Sequence, residues 1–272
     1  MNKSTLLAFL NEIGVTPRKE LSQNFLIDPT TISHMADLAE IHPGDWVLEI
    51  GAGAGAITQE LLARGAHVLA IEKDRNFAHH LERMQTKDKR LHIQCCDFLQ
   101  FPMSSLQTFS STWKVVSNLP YQITAPILEI LCDHAAQFTS ATLIVQKEVG
   151  DRICAKPHSK IMGSLTIFLQ FYSTFAGSFP ISSNCFYPKP AIESMALRLD
   201  FKHTKPPIDP LFFFPIVRKA YQQRRKMLTT SLKTLYPTLG TILTSLGLSP
   251  KARPEELSLD DWLILVQAIK SV

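Results

Sequence analysis

Four consecutive residues, Asn118-Leu119-Pro120-Tyr121, follow directly on a short apolar stretch at 114–117. They offer an amide, a backbone carbonyl, a rigid turn and an aromatic ring. The amide oxygen of Asn118 and the carbonyl of Leu119 can accept the two hydrogens of an exocyclic amine such as adenine N6. Such an amine is a poor nucleophile because its lone pair is delocalised into the ring. Two acceptors on its hydrogens favour a pyramidal nitrogen whose lone pair points outward, toward a methyl sulfonium. Tyr121 supplies a face on which the base can stack. Pro120 stiffens the turn and donates no N–H into the pocket. A methyl carried on a good leaving group needs no strong base, so alignment of donor and acceptor supplies most of the rate. The same four residues could also form an ordinary β-turn with a buried tyrosine. What surrounds them has to distinguish the two.

A second cluster begins at Glu49-Ile50-Gly51-Ala52-Gly53-Ala54-Gly55. Glycines at the end of a strand let the backbone approach a ligand, and the start of the next helix offers free N–H groups. The dinucleotide fingerprint is G-x-G-x-x-G, whereas the spacing here is G-x-G-x-G with Ala56 in the sixth position. Glu49 would repel a pyrophosphate, but it suits the ammonium of a methionine moiety, directly or through water. Glu72, 21 residues after Gly51, ends the next strand and can accept both hydroxyls of a ribose. Asp97 follows the third strand and can accept from an adenine amino group. Taken singly, a glycine-rich turn is a weak signal and Glu72 could be a solvated loop acid. Acids at successive strand ends, with no phosphate-binding lysine, favour a cationic nucleoside, S-adenosyl-L-methionine, over a dinucleotide.

Residues 46–50, 67–72, 91–95, 114–117 and 141–146 read as apolar strands, and 57–63, 77–84 and 127–131 as the helices between them. Asp28-Pro29 starts an earlier helix, with Asp28 as cap and Pro29 in the first turn, and His42-Pro43-Gly44-Asp45 ends it. Alternating strands and helices imply βαβ units and a parallel sheet. Strands without a polar face imply helices on both faces. The expected fold is α/β, a Rossmann-like sheet of the methyltransferase kind. Ligands of such sheets bind at the carboxyl ends of the strands, where Gly51, Gly53, Glu72, Asp97 and Asn118 fall. Lys202-His203-Thr204-Lys205-Pro206-Pro207 reads as a linker. Beyond it helical spacing dominates, and Ser258-Leu259-Asp260-Asp261 is a capping signal ahead of Leu263, Leu265, Val266 and Ile269. The expected organisation is a cofactor-binding catalytic domain over 1–203 and a small all-helical domain over 208–272. There is no internal repeat.

At 272 residues and 45% apolar content the chain can build one α/β core with a small appendage. A net charge of +4 is compatible with a nucleic-acid partner without demanding one. Five cysteines, an odd number with no C-x-x-C pair, argue against zinc and against a disulfide framework. His79-His80 lacks matching ligands, so no metal is expected. Residues 1–15 suggest a short helix with one apolar face and no secretory signal. No stretch reaches the roughly 20 apolar residues of a membrane span, so no membrane partner is expected and the chain is placed in the cytoplasm. Arg18-Lys19, Lys87 with Lys89-Arg90, and Lys147 with Arg152 are candidate phosphate contacts. Arg224, Arg225 and Lys226 are preferred because Tyr221, Gln222 and Gln223 accompany them. For 87–90 a solvated face is the better reading.

Asn118 to Tyr121 is similar to the Asn-Pro-Pro-Tyr signature of methyltransferases acting on nucleobase amines. Nearly end to end, the chain resembles the KsgA-type ribosomal RNA adenine dimethyltransferases. Leu21-Ser22-Gln23-Asn24-Phe25-Leu26 resembles the family segment that closes over the cofactor, and residues 49–58 resemble its glycine motif. Gln146-Lys147-Glu148, Phe186-Tyr187-Pro188-Lys189-Pro190 with Glu193-Ser194, and Tyr221 to Lys226 are similar to three further family segments. The resemblance implies cofactor contacts at Asn24, Leu26, Gly51, Glu72, Asp97 and Asn118, and a target adenine sandwiched by Tyr121 and Phe186. It implies N6-dimethylation of two adjacent adenines near the end of small-subunit ribosomal RNA, on a ribosomal assembly particle, by a monomer. Ala52 stands where the family usually has proline, and Ala191 where a lysine is common. Three alternatives remain: a large-subunit methyltransferase of the macrolide-resistance type, an NAD-dependent oxidoreductase, and a non-catalytic RNA-binding factor. The Asn-Leu-Pro-Tyr spelling and the basic C-terminal segment favour the small-subunit enzyme.

Overall fold

Strands buried on both faces are recognisable by mostly apolar runs, and five strands read in this way form the centre of the molecule. A computed structural model describes residues 2–17, 23–204 and 206–271. Arg18, Lys19, Leu21, Ser22 and Lys205, all used above, lie outside the described residues. β1 is Phe25–Leu26, and the central strands are β2 (Trp46–Ile50), β3 (His67–Glu72), β4 (Leu91–Cys95), β5 (Trp113–Asn118) and β6 (Phe138–Gln146). The ladders β2–β3, β3–β4, β2–β5 and β5–β6 are all parallel. Val47, Val68, Val116 and Ile144 face a core that also holds Ile32, Met35, Ile57 and Leu61. Leu48, Leu69, Val115 and Leu143, pointing the other way, are buried as well. Both faces are therefore dry at β2, β3, β5 and β6, whose centres show no polar alternation, whereas β4 is partly exposed.

The helices of this part are α1 (Lys3–Glu12), α2 (Pro29–Leu38), α3 (Ala56–Ala63), α4 (Arg75–Gln85) and α5 (Thr124–Asp133). The caps are local: the Asp28 carboxylate accepts from the Thr31 N–H at 2.8 Å, and Asp74 accepts from the Asn76 N–H at 2.9 Å. Leu6, Phe9 and Leu10 of α1 pack with Ala54 and Phe77. Among the described residues the sheet order is β4-β3-β2-β5-β6 followed by two further strands. From β2 the chain crosses through α3 to β3 on one side, and from β5 through α5 to β6 on the other. Right-handed crossovers in opposite directions put α3 and α5 on opposite faces. The order thus reverses between β2 and β5, which opens a crevice at their carboxyl ends.

The expected parallel strands are extended into a mixed sheet by an antiparallel one. β7 (Ser173–Ile181) and β9 (Ser194–Phe201) extend it past β6, and β9 runs antiparallel to β6, from Ser140↔Asp200 to Gln146↔Ser194. β7 escaped notice because only its two end residues are buried. It carries Gly177 and Pro180, and an edge strand tolerates a proline that a central strand does not. β9 is broken in pattern by Arg198 and Asp200, which neutralise each other at 2.7 Å. A two-residue strand β8 (Phe186–Tyr187) pairs antiparallel with β1.

The chain divides into two compact units, Met1–Gly150 with Thr174–Lys202, and Asp151–Ser173 with His203–Val272. Sequence spacing assigned residues 151–173 to the first domain, but they cluster with the C-terminal helices. The cause is aromatic: α6 (Lys147–Ile153) leads toward α7 (Ser164–Tyr172), whose Phe168 and Phe171 pack on Phe214 of α8 (Pro210–Gln222) with ring centres 4.9 and 5.0 Å apart. α9 (Leu228–Ser231), α10 (Leu239–Ser245) and α11 (Leu259–Lys270) complete this second unit. Ser258 caps α11 reciprocally with Asp261, as the spacing there led one to expect.

Candidate active site

β2 and β5 pair only at Val47↔Lys114 and Leu48↔Val115. Beyond these the strands part, held by the Ser117 hydroxyl donating to the Ile50 carbonyl. A cavity of about 230 Å³ occupies the gap. Every catalytic and cofactor residue expected from sequence lines it, with the exception of Phe186. Gly51, Gly53 and Gly55 have φ of 73°, 53° and 78°, a left-handed path open to glycine and strained for other residues. At Gly53 a Cβ would also stand 3.0 Å from the Phe25 ring.

Three of the carboxylates in this wall differ in their surroundings. Glu49 is buried, and the Thr58 hydroxyl of α3 donates to it at 2.6 Å. Burial pushes its carboxyl up to about 8, and the neighbouring Glu72 charge adds to this. Thr58 was missed in the sequence, although a threonine between Ile57, Leu61 and Leu62 on the apolar face of α3 is a visible anomaly. Glu72 is also buried, and its two oxygens accept from the Gly53 and Asp74 N–H groups at 2.8 and 2.7 Å. Burial raises its carboxyl, while these backbone donors oppose the rise. Each oxygen retains a lone pair for a ligand. Asp97 accepts from Lys73 Nζ at 2.8 Å and from the Leu99 N–H at 3.0 Å. The Lys73 ammonium holds its carboxyl below the usual range.

A carboxyl raised to about 8 contributes stability that is complete below its ordinary value of 4.5 and is lost as pH climbs through 8. Glu49→Gln keeps an acceptor for Thr58 and removes the charge. Thermal scans of the free protein are expected to show a melting temperature gap in favour of the variant that opens between pH 5 and 8 and then levels off.

The Asn118 Nδ2 donates to the Asn24 carbonyl at 2.8 Å. A carbonyl oxygen can only accept, so the amide has a single orientation, with Oδ1 left to accept from a ligand. The Leu119 N–H donates to the Ile144 carbonyl at 3.2 Å, which fixes the next peptide plane. The Tyr121 hydroxyl lies 2.7 Å from Ser194 Oγ, and burial pushes its phenol up. Neither the Asn24 carbonyl nor Ser194 had been singled out for these contacts. Phe186, expected to sandwich the base with Tyr121, is 3% exposed, pairs with Leu26 across β1 and β8, and packs in the core with Leu26 and Ala52. The pairing turns its ring inward, and it does not line the cavity.

In the second unit, the three basic residues expected to meet phosphate divide. The Arg224 guanidinium donates to the carbonyls of Ser159 and Lys160 and lies 3.9 Å from Glu255. It is engaged by its own unit, whereas Arg225 and Lys226 are exposed. Arg90 pairs with Asp88 at 2.6 Å, and His80 packs on Phe9 with ring centres 4.1 Å apart. Among the described residues no His, Cys, Asp and Glu group could hold a metal, and no helix is long and apolar enough to cross a membrane.

A reversed-order sheet with a left-handed glycine turn and strand-end acids is the architecture of a Rossmann-like methyltransferase. The fold matches a dimethyladenosine transferase from Plasmodium falciparum with a TM-score of 0.76 at 21% identity, covering 91% of this chain and 98% of that one. It matches the 23S rRNA methyltransferase ErmE with a TM-score of 0.68 at 24% identity, covering 91% and 100%. The ribosomal RNA adenine dimethylase model matches residues 14–271, and the chain belongs to that family. It is 43% identical over 274 residues to ribosomal RNA small subunit methyltransferase A of Protochlamydia amoebophila, covering 98% of this chain and 96% of the relative. To the protein of the same name from Chlamydia felis it is 41% identical, covering 97% and 94%.

Proposed function

We propose that this protein transfers methyl groups from S-adenosyl-L-methionine to the N6 amines of two adjacent adenines in small-subunit ribosomal RNA. The observation that carries this is the Asn118 amide, oriented by the Asn24 carbonyl in the same cavity as Glu49, Gly53, Glu72 and Asp97. The donor fits the residues present. Glu49 is a buried carboxyl held by a hydroxyl and raised to about 8, and a ligand ammonium would relieve that burial. Glu72 has lone pairs for ribose hydroxyls, and Asp97 has them for an adenine amine. A dinucleotide fits less well, because Lys73, which also lines the cavity, is tied to Asp97 and not free for a pyrophosphate.

When bound, the donor supplies an activated methyl. The protein's part is positional. Oδ1 of Asn118 and the Leu119 carbonyl accept from the target amine, and the Tyr121 ring offers a stacking face. Burial keeps the Tyr121 phenol neutral, so it is an anchor and not a base. Dimethylation requires the same acceptors to hold an amine first with two hydrogens and then with one.

The curated relatives described above carry the small-subunit name at 43% and 41% identity, whereas the likeness to ErmE, at 24% identity, concerns the fold. This favours the small-subunit substrate over the large-subunit one. The reading includes a monomer acting in the cytoplasm on an assembly particle, with Arg225 and Lys226 contacting RNA phosphates. Replacing both by alanine is expected to weaken RNA binding and to flatten its salt dependence by about one unit of log–log slope per contact. Arg224→Ala is expected to lower the melting temperature instead. Binding isotherms at several salt concentrations, together with thermal scans, separate the two outcomes. The function itself is tested by incubating labelled donor with ribosomal subunits from an unmethylated strain and mapping the modified bases. Label confined to large-subunit RNA, or absent, would refute it.

A further inference from the structure

We propose that Ser194 is a positioning residue that pins the Tyr121 hydroxyl and so fixes the ring face on which the target base stacks. The proposal rests on the stacking role given above to Tyr121. Tyr121 begins a single 3-10 turn, Tyr121–Ile123, between β5 and α5. A residue there lacks the regular helical or strand neighbours that restrict a side chain, so something else must hold the ring. Its hydroxyl lies 2.7 Å from Ser194 Oγ.

Ser194 is a suitable anchor because it is rigid. It is the first residue of β9, paired with Gln146 at one end of the continuous β6–β9 ladder. It is 0% exposed, and a buried hydroxyl is unfavourable unless it is hydrogen-bonded. Swinging the Tyr121 ring away would leave the Ser194 hydroxyl without this partner in a dry place. Each therefore holds the other, and the strand transmits its position to the aromatic face. A first interaction that is supported in this way keeps the reacting geometry tight.

Four variants test this: Ser194→Ala, Ser194→Thr, Tyr121→Phe and the double variant Ser194→Ala with Tyr121→Phe, with Tyr121→Ala as reference. Single-turnover methyl transfer to unmethylated small subunits is followed at saturating donor and RNA. Donor affinity is measured by calorimetry. Ser194→Ala and Tyr121→Phe are each expected to slow transfer roughly 10- to 100-fold, the scale of a misplaced reactant, with donor affinity unchanged within about twofold. Ser194→Thr should recover most of the rate, and the double variant should be no slower than the slower single one, as for two residues sharing one interaction. An unchanged rate in Ser194→Ala, strict additivity in the double variant, or a loss that follows donor affinity would overturn the pin. If Ser194→Ala fails to fold, Tyr121→Phe breaks the same bond from the cavity side. A slow Tyr121→Ala beside a fast Ser194→Ala and Tyr121→Phe removes the pin and leaves the stacking role. A wild-type protein that transfers no methyl at all removes the underlying function.

Discussion

Asn118→Ala is expected to slow methyl transfer by about two to three orders of magnitude, the scale seen when one preorganised polar contact to a reacting centre is deleted. Donor affinity should change far less, because Glu49, Glu72 and Asp97 are untouched. The amide is held by one bond, from Nδ2 to the Asn24 carbonyl at 2.8 Å, and that bond decides which end meets the amine. Asn118→Asp sharpens the test. A carboxylate keeps an acceptor for the amine but turns a second acceptor toward the Asn24 carbonyl, and two such oxygens repel. Asp should therefore rescue little of what Ala loses. Single-turnover rates and donor titrations on the three proteins give the answer. Transfer at the wild-type rate by Asn118→Ala would remove the residue from the chemistry.

Glu72→Gln is expected to weaken donor binding by roughly 100- to 10,000-fold. Two hydrogen bonds to a charged acceptor are each worth about 1.5–3 kcal/mol, and each 1.4 kcal/mol is tenfold in affinity. A second cost arises within the protein. The Glu72 carboxylate accepts from both the Gly53 and Asp74 N–H groups, and an amide has only one oxygen to offer them. One of the two N–H groups would then face another donor, loosening the glycine turn at the point where φ is already left-handed. Calorimetric titration should show the loss in affinity. Turnover at saturating donor should survive better than in Asn118→Ala, because the acceptors on the target amine remain. A Kd within a few-fold of wild type would mean that Glu72 does not meet the ribose.

The central strands and the glycine turn were readable because local rules governed them. Apart from His67 and the two functional acids, Glu49 and Glu72, residues 46–50 and 67–72 are apolar, since helices cover both faces, and Asp28 and Ser258 cap helices within three residues of themselves. β7 and β9 were unreadable for the opposite reason. β7 lies on an edge with most of its residues exposed, and β9 contains charges that are paired only in the folded protein, where Arg198 meets Asp200 and Glu40. The sequence grouped Arg224 with Arg225 and Lys226 as phosphate contacts, and its own partners, Ser159, Lys160 and Glu255, are remote in sequence.

Residue types and spacing were sufficient to place an amide, a carbonyl, an aromatic ring and three acids at strand ends, because a strand-turn-helix unit sets its own geometry over a few residues. Folding decided what those groups can do. It set the direction of the Asn118 amide by a carbonyl 94 residues away and the anchorage of Tyr121 by a serine 73 residues on. It also set the burial that raises Glu49 and the inward turn of Phe186. A hydrogen bond or a dry environment depends on groups that meet only when distant segments pack, and no local pattern records that meeting.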